Sequence, residues 1–168
     1  MLNLLRRSKE RRLAAGRIYD ALVKRSREPV FFERFGVPDT LDGRFDLLTL
    51  HAWLVLARIK QDAEMSQALV DTIFVGFDEA LREMGAGDMG MGRRMKKFAN
   101  AFYGRLSAYG AAAGEAALEA TLVRNLYRGT ASPCAAALAA YVLRAGQNLE
   151  GWETGEPDFG PLPGENEP

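Results

Sequence analysis

Leu69, Val70, Ile73, Phe74, Phe77, Leu81 and Met84 recur at the spacing that gathers side chains on one side of an α-helix. After the turn Gly85-Ala86-Gly87-Asp88 a second stripe follows: Met95, Phe98, Ala99, Phe102, Tyr103, Leu106 and Tyr109. At about 100° per residue these seven fall within an arc of roughly 140°, and Arg93, Arg94, Lys96, Lys97 and Arg105 all lie outside it with no acid among them. Two amphipathic helices joined by so short a turn bury both stripes only by folding back as a hairpin. The reading is therefore one face built to pack, one face built to stay wet and positive, and further helices to cover the hairpin. The expected fold class is all-α: a single-domain bundle of about six helices over residues 1–150, with a disordered acidic tail over 151–168.

The remaining segments supply those helices. Leu13, Ala14, Ile18 and Leu22, with Ala15, Tyr19 and Val23, predict a basic amphipathic helix over about 9–27, ended by Glu28-Pro29. The aromatic segment Val30 to Pro38 reads as a plug for the core or the lining of a groove. Asp39, Thr40 or Asp42 then caps a helix from Phe45 to about Lys60, apolar nearly all round and so placed mid-bundle. Ser66 is the expected cap of the helix Gln67 to Met84. A shorter helix is expected from about Glu115 to Arg128, and a last one capped by Ser132 and begun by Pro133. Beyond Gly151 the Pro, Gly and Glu content indicates an extended or disordered tail in which Trp152 and Phe159 are positioned to dock back.

At 168 residues and 48% hydrophobic content, the chain can bury a core without disulfides or metals. The single Cys134 forms no internal disulfide and reads as a small apolar core position, suited to a reducing compartment. The longest apolar run, Cys134 to Leu143, is ten residues, where a bilayer needs roughly 18 to 20. Met1-Leu2-Asn3-Leu4-Leu5 meets Arg6 and Arg7 at once, which does not read as a signal peptide. Net charge is zero but polarised: residues 1–27 hold nine Lys/Arg against Glu10 and Asp20, and residues 149–168 hold six acids and no base. The basic helix is either a packed helix with a solvated face or a peripheral contact for an anionic membrane surface.

Several tempting motifs fail on physical grounds. Gly85-Ala86-Gly87-Asp88-Met89-Gly90 matches Gly-x-Gly-x-x-Gly, yet it follows a long helix instead of a strand, so Gly85 reads as a left-handed helix stop. Weak anion binding there would draw on Arg93 and Arg94 at a helix N-terminus. His51, the only histidine, has no second ligand three or four residues away and reads as a core or hydrogen-bonded histidine. Asp71, Asp78, Glu79 and Glu83 are a solvated face and no acid–base pair. No nucleophile, metal cluster or nucleotide loop emerges; the chain is expected not to be an enzyme and to need no cofactor.

Asp39-Thr40-Leu41-Asp42-Gly43-Arg44-Phe45 with Leu48 and His51, Asp71 and Phe74, the run Leu81 to Asp88, Met95-Lys96-Lys97, Ala101-Phe102-Tyr103-Gly104-Arg105 and Ala108-Tyr109 form an ordered set. In these residues the chain resembles the ubiquinol–cytochrome c chaperone family, assembly factors for cytochrome b of the respiratory bc1 complex. The resemblance covers roughly residues 10 to 150. It implies an ATP-independent chaperone that binds newly made cytochrome b, or an early bc1 intermediate, at the membrane surface, with no small-molecule substrate. It points to a bacterial relative in the cytoplasm, peripheral at the inner membrane. The residues supply means for such binding: Met84, Met89, Met91 and Met95 cluster at the turn, where flexible thioethers suit varied apolar clients. The expected partner-binding set is Arg82, Met84, Asp88, Met89, Met91, Arg93, Arg94, Lys96, Lys97, Tyr103, Gly104 and Arg105. The competing reading is a nucleic-acid or ribosome-binding helical module using the basic face at 93–105.

Overall fold

A computed structural model describes residues 2–85 and 87–165. Met1, Ala86 of the glycine turn, and residues 166–168, among them Glu167 of the acidic tail, lie outside the described residues. The chain is all-helical: α1 (Leu2–Ser26), the short α2 (Pro29–Glu33), α3 (Leu41–Arg58), α4 (Ala63–Glu83), α5 (Met91–Ala111), α6 (Glu115–Asn125) and α7 (Ala135–Glu150). The all-α bundle expected from the periodicity is what forms, with six long helices among the described residues and α2 added as a single turn.

Helix α3 is the axis. It is apolar on every side, and Leu47, Leu50, Ala52 and Val55 are completely buried. Thr40 starts it, its hydroxyl accepting a hydrogen bond from Gly43 N–H at 3.1 Å, which satisfies one of the unpaired first-turn donors. Gly43 is required there because a Cβ would lie 1.8 Å from the carbonyl oxygen of Pro38. Helix α1 runs alongside α4 in the same direction, Arg11 meeting Glu64 near the start of α4 and Tyr19 lying against Gly76, where a Cβ would meet its hydroxyl at 1.9 Å. Helix α5 returns along α4 through aromatic pairs, Phe77 to Phe98 at 5.7 Å between centroids and Phe74 to Phe102 at 5.5 Å, and Phe98 also meets Phe45 of α3 at 4.9 Å. Phe102 is fully buried, and burying each such ring contributes about 1.5–3 kcal/mol.

Several boundaries differ from the sequence reading, each for a local reason. Helix α1 begins at Leu2 instead of near Lys9, and its first turns run past the start of α4, since Arg11 pairs with Glu64 one residue into that helix. Leu13, expected in the buried stripe, is 55% exposed. Pro29 ends α1 but also opens α2, the position where its missing N–H costs nothing, and this turn drives Phe31 fully into the core. Asp62, not Ser66, caps α4, accepting from Met65 N–H at 2.9 Å; Ser66 Oγ donates to the Ile59 carbonyl. Helix α6 stops at Asn125, before the left-handed pair Arg128 (φ 56°) and Gly129 (φ 81°). Helix α7 begins at Ala135, two residues later than Pro133, while Ser132 Oγ accepts from Cys134 N–H.

The acidic tail is described to Glu165. Over 151–165 it forms no helix, and it lies against the core through Phe159, which is 4% exposed with its ring 5.3 Å from that of His51. Arg25 of α1 holds this strap, donating to the carbonyls of Gly160 and Pro161 at 2.8 and 2.9 Å. Trp152, the other docking candidate, is half-buried.

Candidate functional site

The turn between α4 and α5 is shaped by two glycines in the left-handed region, Gly85 (φ 81°) and Gly90 (φ 94°). Gly85 follows the helix end as expected, its N–H bonded to the Arg82 carbonyl at 2.9 Å, and Gly90 caps α5. Arg82 clasps the turn to α4: Nε donates to Asp78 at 2.7 Å and a terminal nitrogen to Asp88 at 3.0 Å. Both pairs face water, so they orient the turn more than they stabilise the fold. The effect is to hold Met84 (66% exposed) and Met89 (99% exposed) at the tip.

The rest of the expected docking set divides. Arg93, Arg94, Lys96 and Lys97 are exposed and form no ion pair among the described residues, so the first two turns of α5 present a positive surface as the wheel indicated. Tyr103 is 52% exposed, and space beside Gly104 is open. Two residues depart from expectation. Met91 is 7% exposed and serves the core, because the first residue of α5 is turned inward by the Gly90 cap. Arg105 is not on the wet face: its side chain is only 13% exposed and reaches Asp46 at 2.8 Å. On the wheel Arg105 sits about 20° beyond Phe98, the edge of the apolar arc, and that is close enough for a long side chain to fold inward when an acid waits there.

Asp46 is the residue that sequence reasoning missed. It is completely buried in the second turn of α3, its Oδ2 accepting from Arg128 Nε and a terminal nitrogen at 3.0 and 2.8 Å while its Oδ1 faces Arg105. The Arg105 guanidinium also lies over the Phe45 ring, 5.3 Å from its centroid. Burial pushes the Asp46 carboxyl up to about 6, against the pull of the Arg105 and Arg128 charges beside it. At neutral pH it is an anion between two cations. Its signal in the sequence was an acid inside a helix otherwise apolar on all sides, between Phe45 and Leu47.

His51 is the structural histidine expected. It is fully buried; Nδ1 donates to the Leu47 carbonyl at 2.8 Å, so Nε2 accepts from the Tyr141 hydroxyl at 2.8 Å, and that hydroxyl accepts from Arg25 Nε at 2.9 Å. Desolvation pushes the imidazole down to about 4, with nearby Arg25 adding to the effect, so it is neutral at pH 7. Cys134 is half-buried, its thiol directed at the Arg34 carbonyl at 3.5 Å. No cluster of three or more His, Cys, Asp or Glu able to hold a metal occurs among the described residues.

A family model described as "Ubiquinol-cytochrome C chaperone" matches residues 33–154. Among curated proteins, the Xenopus laevis ubiquinol-cytochrome-c reductase complex assembly factor 1 is 30% identical over 121 residues, 68% of this chain and 60% of that protein. The human ubiquinol-cytochrome c reductase complex assembly factor 1 is 28% identical over 122 residues, 69% of this chain and 41% of that one. The chain thus spans between about two fifths and three fifths of these relatives. Among solved structures, the crystal structure of the Cbp3 homolog from Brucella abortus superposes with a TM-score of 0.78 at 38% identity, covering 90% of this chain and 89% of that one.

Proposed function

The chain belongs to the ubiquinol–cytochrome c chaperone family, and from that membership we propose that it is an ATP-independent assembly chaperone for the ubiquinol–cytochrome c reductase complex. In this reading it holds newly made cytochrome b, or an early bc1 intermediate, at the cytoplasmic side of the inner membrane and carries out no chemistry of its own. The observation that carries the reading is the tip of the α4–α5 hairpin. Met84 and Met89 stand out of the surface beside Arg93, Arg94, Lys96 and Lys97, so an adaptable apolar surface adjoins an unneutralised positive one.

Contact with the membrane surface is supported by α1. Its first turns project beyond α4 and carry Leu4 and Leu5, 70% and 69% exposed, among Arg7, Lys9 and Arg12. No helix among the described residues is long and apolar enough to cross a membrane.

Deleting the gene and recording b- and c1-type haem spectra together with bc1 activity tests the reading. Loss of both haem signals and of activity is expected; normal bc1 assembly would refute it. Site-specific photo-crosslinking in cells from Met89 and Lys97 is expected to capture cytochrome b, while the same probe placed at Lys60, on the loop after α3, is not.

A further inference from the structure

Beside the hairpin, α3, α5 and the turn after α6 enclose a pocket of about 270 Å³. Its apolar part is formed by Leu41, Phe45 and Phe98, and its polar part by four cations, Arg94, Lys97, Arg105 and Arg128, with Asp42 as the one acid of the lining. The four cations come from different causes. Arg105 and Arg128 are fixed from below by the buried Asp46, and the Arg105 Nε is buried without a hydrogen-bond partner. Arg94 and Lys97 stand one turn apart on α5 and form no ion pair among the described residues. A second hollow of about 190 Å³, reaching to Met84, shares Leu41, Phe45, Leu81 and Phe98 with the first as a common wall.

We propose that this pocket receives an acidic side chain presented on an otherwise apolar polypeptide segment, the carboxylate meeting Arg94 and Lys97 and its apolar neighbours lying over Phe98 toward Met84. The proposal rests on the chaperone reading only for the identity of the segment; the chemistry is fixed by the pocket. Charge complementarity selects the acid, because Asp46 between the two arginines and Asp42, 3.8 Å from Arg128, together offset the inner pair of cations and leave the outer pair unanswered. The apolar wall and the size argue against a phosphate polymer or a lipid. Nucleic acid would use a charged track with exposed aromatic faces, whereas Phe45 is buried. The volume falls below the roughly 300–1,000 Å³ of pockets that enclose a whole small ligand, and suits one or two side chains. Holding an unassembled membrane segment by its acidic residue would shield the one group that such a segment can least bury alone.

The test uses the purified full chain and two short fluorescent peptides with one Leu/Phe stripe, the polar positions Glu in one and Lys in the other, read by anisotropy. Binding of the Glu peptide at least about ten-fold tighter than the Lys peptide is expected, with the preference weakening in salt. Arg94→Glu combined with Lys97→Glu should remove that preference, and both are exposed, so helicity by circular dichroism should not change. Lys24→Glu combined with Lys60→Glu carries the same change of charge away from the pocket and should leave the Glu peptide's affinity within about two-fold. Equal binding of both peptides, no binding of the Glu peptide, or equal losses in the two charge-reversed variants would each overturn the proposal. So would binding of a single-stranded RNA oligonucleotide, or of phosphatidylglycerol vesicles, that is lost with Arg94 and Lys97 while the Glu peptide does not bind. If the peptides behave as expected while gene deletion leaves bc1 assembly intact, the pocket stands and the client assignment falls.

Discussion

Replacing Asp46 by Leu tests whether the α3–α5 contact depends on a buried charge. The substitution keeps the branched outline of four heavy atoms but leaves two guanidiniums facing an apolar side chain. Removing one partner from a buried ion pair costs about 3–5 kcal/mol. Here the two arginines share that cost unequally: Arg128 is 47% exposed in its side chain and can swing into water, whereas Arg105 is 13% exposed and is held between the Phe45 ring and the Ala101 carbonyl. The penalty therefore falls mainly on Arg105, and a loss of about 3 kcal/mol is expected, at the low end of that range. Urea titration followed by far-UV circular dichroism at neutral pH measures it, with the slope unchanged if the unfolded state is not altered. The second arm is Arg105→Met in the Asp46→Leu background. An apolar pair at a formerly ionic contact is often as stable as the original, so the double variant should regain most of the loss, a coupling of about 2 kcal/mol. A single-variant cost below about 1 kcal/mol, or simple additivity in the double variant, would refute the reasoning.

The same carboxyl and His51 make opposed contributions to the pH dependence of stability. His51 is held near 4 in the fold against 6.5 unfolded, so the unfolded chain binds the extra proton and stability rises with pH across that window. Asp46 is raised from 3.8 to about 6, so the folded chain keeps the proton and stability falls as pH rises through that range. Between about pH 4 and 6 the two slopes, each near 1.4 kcal/mol per pH unit, largely cancel; Asp46→Asn should unmask a rise of about 2–3 kcal/mol, seen in urea midpoints across that range. Gly43→Ala forces a Cβ onto the Pro38 carbonyl and should cost about 2 kcal/mol or more by the same titration. Thr40→Ala removes the α3 cap and should cost about 1 kcal/mol. Phe159→Ala should cost about 3 kcal/mol if the strap belongs to the cooperative fold, and much less if the strap opens by itself.

The helices were legible because each carries its own period: the stripes of α4 and α5 needed no knowledge of their neighbours. The left-handed Gly85 was legible too, since a glycine after a long apolar stripe has few other uses. What escaped depended on distant partners. Asp46 and Arg128 lie 82 positions apart, and nothing local in either announces the other. Arg105 was placed on the wet face by its wheel position, and only the acid on α3 turns it inward. Met91 was grouped with its exposed neighbours in sequence, but one residue past a helix cap the chain direction changes faster than composition can show. Ser66 stands where a cap of α4 is expected, just before the stripe, but Asp62, four residues earlier, accepts the first-turn N–H, and the Ser66 hydroxyl turns back to the Ile59 carbonyl.

The strap held by Arg25 bears on the order in which the fold completes. Its pairing with Gly160 joins residues 135 positions apart, far beyond the span of the helical hairpins. Contacts of such separation form late, after the helices have already found one another. On a chain emerging from its N-terminus, the α4–α5 tip would then be in place before the His51 region is sealed by Phe159. The docking surface is thus built from the early, local part of the fold, and the closure of the core is left to residues made well after it.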